Sequence, residues 1–141
     1  MDLKICFIKQ GQQALELTRK PADLAVAEID EVVSALASTN LWERYQAKRE
    51  CTSRDPAEVV KSLNALLDKY DSKAENYEHL LFEMLSTYET LEVVNRPLLL
   101  RCLNSSDERL RAYASRVVGR WHDRLEDPLA LLSDRVVDVD S

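Results

Sequence analysis

Ser105-Ser106-Asp107-Glu108-Arg109-Leu110-Arg111-Ala112-Tyr113-Ala114-Ser115-Arg116-Val117-Val118-Gly119 decides how this chain is read. It opens with a polar turn. Asp107 then stands where a helix N-cap belongs, because its carboxylate can accept a free N–H of the first helical turn. From there Leu110, Tyr113, Ala114, Val117 and Val118, continued by Trp121 and Leu125, recur at three- and four-residue spacing. That is one apolar stripe along a helix, predicted over 107–125. Gly119 is one of only 2 glycines in 141 residues, and there are 4 prolines, too few turn residues for an all-β fold.

The same pattern occurs earlier. Ala35-Leu36-Ala37-Ser38-Thr39-Asn40-Leu41-Trp42-Glu43-Arg44-Tyr45-Gln46-Ala47-Lys48-Arg49 aligns with Cys102 to Arg116 at an offset of 67 positions. Leu36 matches Leu103, Ser38 matches Ser105, Arg44 matches Arg111, Ala47 matches Ala114 and Arg49 matches Arg116. The repeated unit is a polar turn, a cap, an arginine inside the following helix and a small alanine where helices touch. Such units bury their apolar faces by stacking.

Working outward, apolar spacing predicts further helices over 23–37, 41–51, 55–70, 74–92, 97–103 and 128–137. Asp55-Pro56 and Asp127-Pro128 are paired helix starts, a cap followed by a proline suited to the first helical position. At the first of these, Glu58 completes a capping box. Short polar turns make sequential helices antiparallel neighbours. The expected hairpins are 23–37 with 41–51, 55–70 with 74–92, and 97–103 with 107–125, the helix at 128–137 lacking a partner. The fold class read from this is all-α, a stack of antiparallel hairpins forming an α-solenoid. Leu3 to Lys9 alternates apolar and polar residues and reads as one short strand, so residues 1–22 are taken as strand and linker and 23–141 as the repeat domain with an incomplete last repeat.

Composition narrows the function. Apolar residues make up 45% of the chain, enough for a core, and the net charge is −6. An acidic chain argues against a nucleic-acid binder, which needs a basic surface for phosphates. Cys6, Cys51 and Cys102 have neither disulfide nor zinc spacing and read as free buried thiols. No apolar run reaches membrane-span length. No convincing signal peptide is present, which reads as cytoplasmic for the chain as it stands.

The stretch from Ser105 to Gly119 resembles the HEAT-repeat pattern: a turn aspartate, an arginine, an alanine, then an aliphatic pair and glycine. A resemblance along most of the chain rests on Trp42 to Glu50, Tyr77 to Glu83, Val93 to Leu99 and Arg116 to Arg124, in that order. These segments resemble the region after the β-propeller in planctomycete-type membrane-bound dehydrogenases, proteins that end in a c-type haem domain. The resemblance implies a scaffold role, a strand at Leu3 to Lys9 leading out of a propeller, and a periplasmic or secreted parent. It carries no functional residue onto this chain: there is no Cys-x-x-Cys-His and no propeller here, so no catalytic residue, metal or cofactor is assigned.

The remaining candidates are modest. His79 lies at helical spacing from Glu75 and Glu83, which reads as ordinary helix pairing. His122 and Asp123 are adjacent on a helix and so diverge. Arg109, Arg116, Arg120 and Arg124 form a stripe on the 107–125 helix. It is either a phosphate-binding ridge or a row of salt bridges to the preceding acidic helix, with Glu83, Glu89 and Glu92; the acidic composition favours salt bridges. Trp42, Tyr77, Tyr88, Tyr113 and Trp121 read as core aromatics. The expected function is a non-catalytic scaffold or protein-interaction module, with a nucleic-acid-binding repeat as the alternative. The expected partners are another protein or the rest of a larger chain. Self-association through Leu129, Leu131, Leu132 and Val136 of the last helix is also expected.

Overall fold

A computed structural model describes residues 23–136, with side chains described as far as Ser133. The strand expected at Leu3 to Lys9, Cys6, and the valines beyond Val136 lie outside the described residues. Within them the chain is all-helical: α1 (Ile29–Ser34) running into a 3-10 turn (Ala35–Ala37), α2 (Leu41–Ser53), α3 (Pro56–Lys69), α4 (Tyr77–Thr90), α5 (Arg96–Leu103), α6 (Glu108–Arg120) and α7 (Pro128–Val136).

The helix starts follow from local chemistry. Asn40, Asp55, Asn95 and Asp107 each accept a main-chain N–H of the first turn, from Trp42, Ala57, Leu98 and Arg109. Each satisfies a donor that the helix cannot satisfy itself. At Asp55 the cap is one-sided, because Glu58 is exposed and returns no bond to the Asp55 N–H.

Three boundaries differ from the sequence-based expectation by three or more residues. The first helix begins at Ile29 and not at Asp23, because Glu28 is extended and residues before it form a turn closed by Val26 N–H to Asp23 carbonyl. Buried Leu24 and the Arg54 guanidinium, which donates to the Leu24 carbonyl at 2.9 Å, pin that turn. The fourth helix begins at Tyr77 and not at Ala74, since two successive turns, Ala74 N–H to Asp71 and Tyr77 N–H to Ala74, occupy the gap. The sixth stops at Arg120, where buried Trp121 forms the C-cap.

The pairing also differs in one place. α1 with the 3-10 turn packs on α2, and α5 packs on α6, as expected. α3 does not form the expected close hairpin with α4; its main partner is α1. The turns between Asp71 and Asn76 hold the two helices apart, while Ser62 of α3 donates to Asp30 of α1. Long side chains still bridge them, Tyr88 donating to Asn64 at 2.9 Å and Tyr70, at the end of α3, stacking on Tyr77 of α4. α4 is the central helix, touching the 3-10 turn, α2, α5 and α6, and α7 packs on α6.

One core runs through the helices: Val32, Val33 and Leu36, then Val59 and Leu63, then Leu80, Leu81, Met84, Leu85 and Tyr88, then Leu98, Leu99, Leu110, Val117, Val118 and Trp121. The internal repeat is structural as well as sequential. Leu36 and Leu103 are buried, as are Ala47 and Ala114. Ser38 and Ser105 each accept the N–H two residues on, from Asn40 and Asp107.

Candidate functional site

The arginine stripe on α6 meets carboxylates. Arg116 bonds Glu89 at 2.9 Å, Arg120 bonds Glu92 at 2.5 Å, and Arg124, just past the helix, bonds Glu92 at 2.9 Å. Arg124 also donates to the Glu92 carbonyl. Tyr113 donates to Glu89, and Arg116 lies over the Tyr113 ring, 4.8 Å from its centroid. Burial and the neighbouring Glu89 carboxylate push the Tyr113 hydroxyl well above its ordinary range. Hydrogen bonds from Arg120 and Arg124 hold the Glu92 carboxyl below its ordinary value. Arg109 is exposed and has no acidic partner among the described residues.

Glu83, the third carboxylate expected to serve this stripe, faces the other way. It is 5% exposed and sits between Arg44 at 3.4 Å, Lys48, and His79 at 3.4 Å. Two cations of α2 thus hold a buried carboxylate of α4, which satisfies a charge that burial alone would strongly disfavour. Glu75 takes no part, because it lies in the turn before α4. The His79 imidazole is pushed below its ordinary value by burial and by Arg44, which outweigh the attraction of Glu83.

His122 donates from Nδ1 to the Gly119 carbonyl at 2.9 Å, and so forms no dyad with Asp123. Cys51 and Cys102 are free and buried, and burial pushes their thiols up to about 11 and about 12. Thiols so far from ionising are poor nucleophiles at neutral pH. Among the described residues no group of three or more His, Cys, Asp or Glu could hold a metal ion. Nor is any helix among them long and apolar enough to cross a membrane.

The surface that departs from expectation is on α2. Trp42 does not join the core: it is 53% exposed, beside Leu41 at 73% and Tyr45 at 51%. The two rings lie against each other, centroids 5.5 Å apart, so the patch is continuous. Of the aromatics read as core, Tyr88 and Trp121 are buried, and Tyr77 and Tyr113 are half-buried. The helix wheel explains Trp42. At about 100° per residue, Leu41, Trp42, Tyr45 and Arg49 fall roughly opposite Ala47 and Cys51, which face the core.

The repeat itself held the missing signal. At the 67-position offset, Leu41, Trp42 and Tyr45 align with Glu108, Arg109 and Ala112. All three of those residues are exposed on α6. The first copy thus carries large apolar side chains where the second carries solvent-facing ones. A shallow cleft of about 170 Å³ adjoins the patch, lined by Tyr45, Lys48, Arg49 and Thr52 of α2 and by Thr87 and Thr90 of α4.

No protein-family model, curated protein or solved structure matches this chain.

Proposed function

We propose that this chain is a non-catalytic, HEAT-like helical-repeat module that docks another protein through the outward face of α2. The observation that carries this reading is the contrast between equivalent positions of the repeat: Leu41, Trp42 and Tyr45 stand exposed where the second copy has Glu108, Arg109 and Ala112. An isolated exposed leucine needs no explanation, but a contiguous apolar patch in a water-facing register does. Tryptophan and tyrosine are also the side chains that anchor protein interfaces. The resemblance to the repeat segment of membrane-bound dehydrogenases supplies the setting, a scaffold that positions working domains or partners.

The nucleic-acid alternative loses support from the pairing of Arg116, Arg120 and Arg124 with Glu89 and Glu92, since arginines already held by carboxylates are poor phosphate ligands. Two measurements test the choice. Tagged wild-type chain and a Leu41→Ser/Trp42→Ser variant, expressed equally in the source cells, are compared by quantitative co-purification. A defined set of proteins should be lost from the variant; identical sets overturn the reading. A gel shift with random duplex DNA at low salt should show no complex, and a salt-sensitive complex would favour the alternative.

A further inference from the structure

Resting on the docking reading, we infer that the partner is an acidic segment of another protein, placing a carboxylate on Arg49 and a large apolar side chain in the cleft beside Tyr45. The repeat again provides the comparison. Arg49 and Arg116 occupy equivalent positions. Arg116 is bound by the Glu89 carboxylate at 2.9 Å. Arg49 is exposed and has no carboxylate partner among the described residues. In the second copy the arginine on this face is thus answered by an acidic helix of the same chain. In the first copy the same guanidinium is presented outward.

The cleft agrees in chemistry and size. Its two charged lining groups, Lys48 and Arg49, are both cations on a chain whose net charge is −6; Lys48 is already held by Glu83, which leaves Arg49 as the cation without a carboxylate partner among the described residues. Its three threonine hydroxyls already donate to carbonyls of their own helices, Thr52 to Arg49, Thr87 to Glu83 and Thr90 to Ser86, so their methyls contribute an apolar lining. At about 170 Å³ it is smaller than the roughly 300–1,000 Å³ typical of cofactor and drug-sized pockets. That volume suits one anchoring side chain. The exposed rings of Trp42 and Tyr45 extend the contact beyond it. A cation on the rim and an apolar slot beside it select an acidic, apolar-anchored segment over a phosphate backbone, which brings charge and no apolar anchor.

A random-peptide phage library selected on the full chain tests this. Enriched peptides should carry Asp or Glu close to a large apolar residue. Binding of a labelled enriched peptide should weaken roughly tenfold or more in Arg49→Glu and in Tyr45→Ala. A charge-reversed peptide, its acidic residue changed to Lys, should regain affinity for the Arg49→Glu chain. Arg116→Glu should leave peptide binding unchanged. All three altered side chains are exposed or half-exposed, and far-ultraviolet dichroism checks that each variant folds. Enriched peptides without acidic residues, or peptides indifferent to both Arg49 and Tyr45, overturn the inference while leaving the docking reading to its own co-purification test. Two other results also overturn it: Trp42 already shielded from acrylamide in the isolated chain, which means a segment of the same molecule covers the face, and a dimer abolished by Arg49→Glu, which means a second copy does.

Discussion

Arg44 and Arg111 make the same hydrogen bond in two places: each donates from Nη1 to the main-chain carbonyl of the serine six residues earlier, Ser38 at 2.7 Å and Ser105 at 2.9 Å. The bond ties the second helix of each repeated unit to the turn that precedes it. The two arginines differ in their second duty, since Arg44 also neutralises buried Glu83.

That difference orders two variants. Arg111→Ala removes hydrogen bonds to exposed and half-buried carbonyls and should cost about 1–3 kcal/mol. Arg44→Ala also takes a cation from a buried carboxylate and should cost about 3–5 kcal/mol. Urea denaturation of both checks the ranking, and equal losses would mean that Glu83 draws nothing from Arg44.

Ala114 is fully buried in α6, as its counterpart Ala47 is in α2. Ala114→Leu forces additional carbon atoms into a filled contact and should cost about 1–3 kcal/mol. A melting temperature equal to that of the wild type would show room beside Ala114.

The two tryptophans should behave as opposites. Trp121 is fully buried and Trp42 is 53% exposed. Trp121→Ala should cost about 3–5 kcal/mol, whereas Trp42→Ser should shift stability by less than about 0.5 kcal/mol. The Trp42→Ser chain should also lose the acrylamide-quenchable part of its fluorescence. A strong loss of stability on replacing Trp42 would return that ring to the core.

His79 makes stability depend on mild acid. Its folded-state value is lowered below 6.5. Between the unfolded and folded values the unfolded chain therefore binds the proton first. The contribution of His79 is complete above about pH 6.5 and is lost as the pH falls below it. Denaturation midpoints from pH 7.5 to 5 should fall, and His79→Gln should flatten that slope. An imidazole resonance titrating above the ordinary value would show that the ion pair with Glu83 dominates instead.

Glu92, one residue past the Leu91 C-cap of α4, has a positive φ of 57°, a conformation that favours glycine, and its carboxylate anchors Arg120 and Arg124. Glu92→Ala keeps the strained backbone and loses both ion pairs. Glu92→Gly loses the same pairs and relieves the strain, so its denaturation midpoint should lie above that of Glu92→Ala. The reverse order would mean that the left-handed backbone carries no strain here.

Sequence alone determined the helices, the caps and the repeated unit, because each depends on near neighbours along the chain. A cap at Asp55 or Asp107 needs only the N–H two residues on. The stripe from Leu110 to Trp121 needs only the helical period. Salt bridging is the favoured of two readings of the arginine stripe, and Glu83, expected to share in it, pairs with α2 instead. Tertiary structure decided which face of α2 is inside, and in the sequence only the comparison with the second copy of the repeat pointed to it. The run Leu41, Trp42, Tyr45, Ala47 looks apolar throughout, yet a helix can bury only one side, and here the side chosen holds Ala47 and Cys51. Lys48 and Arg44 settle that choice by reaching Glu83, 35 and 39 positions away in the sequence. The same distance in sequence hid the pairing of α3 with α1 and not α4. Burial is set by which helices pack against one another, and periodicity along one helix does not contain that information.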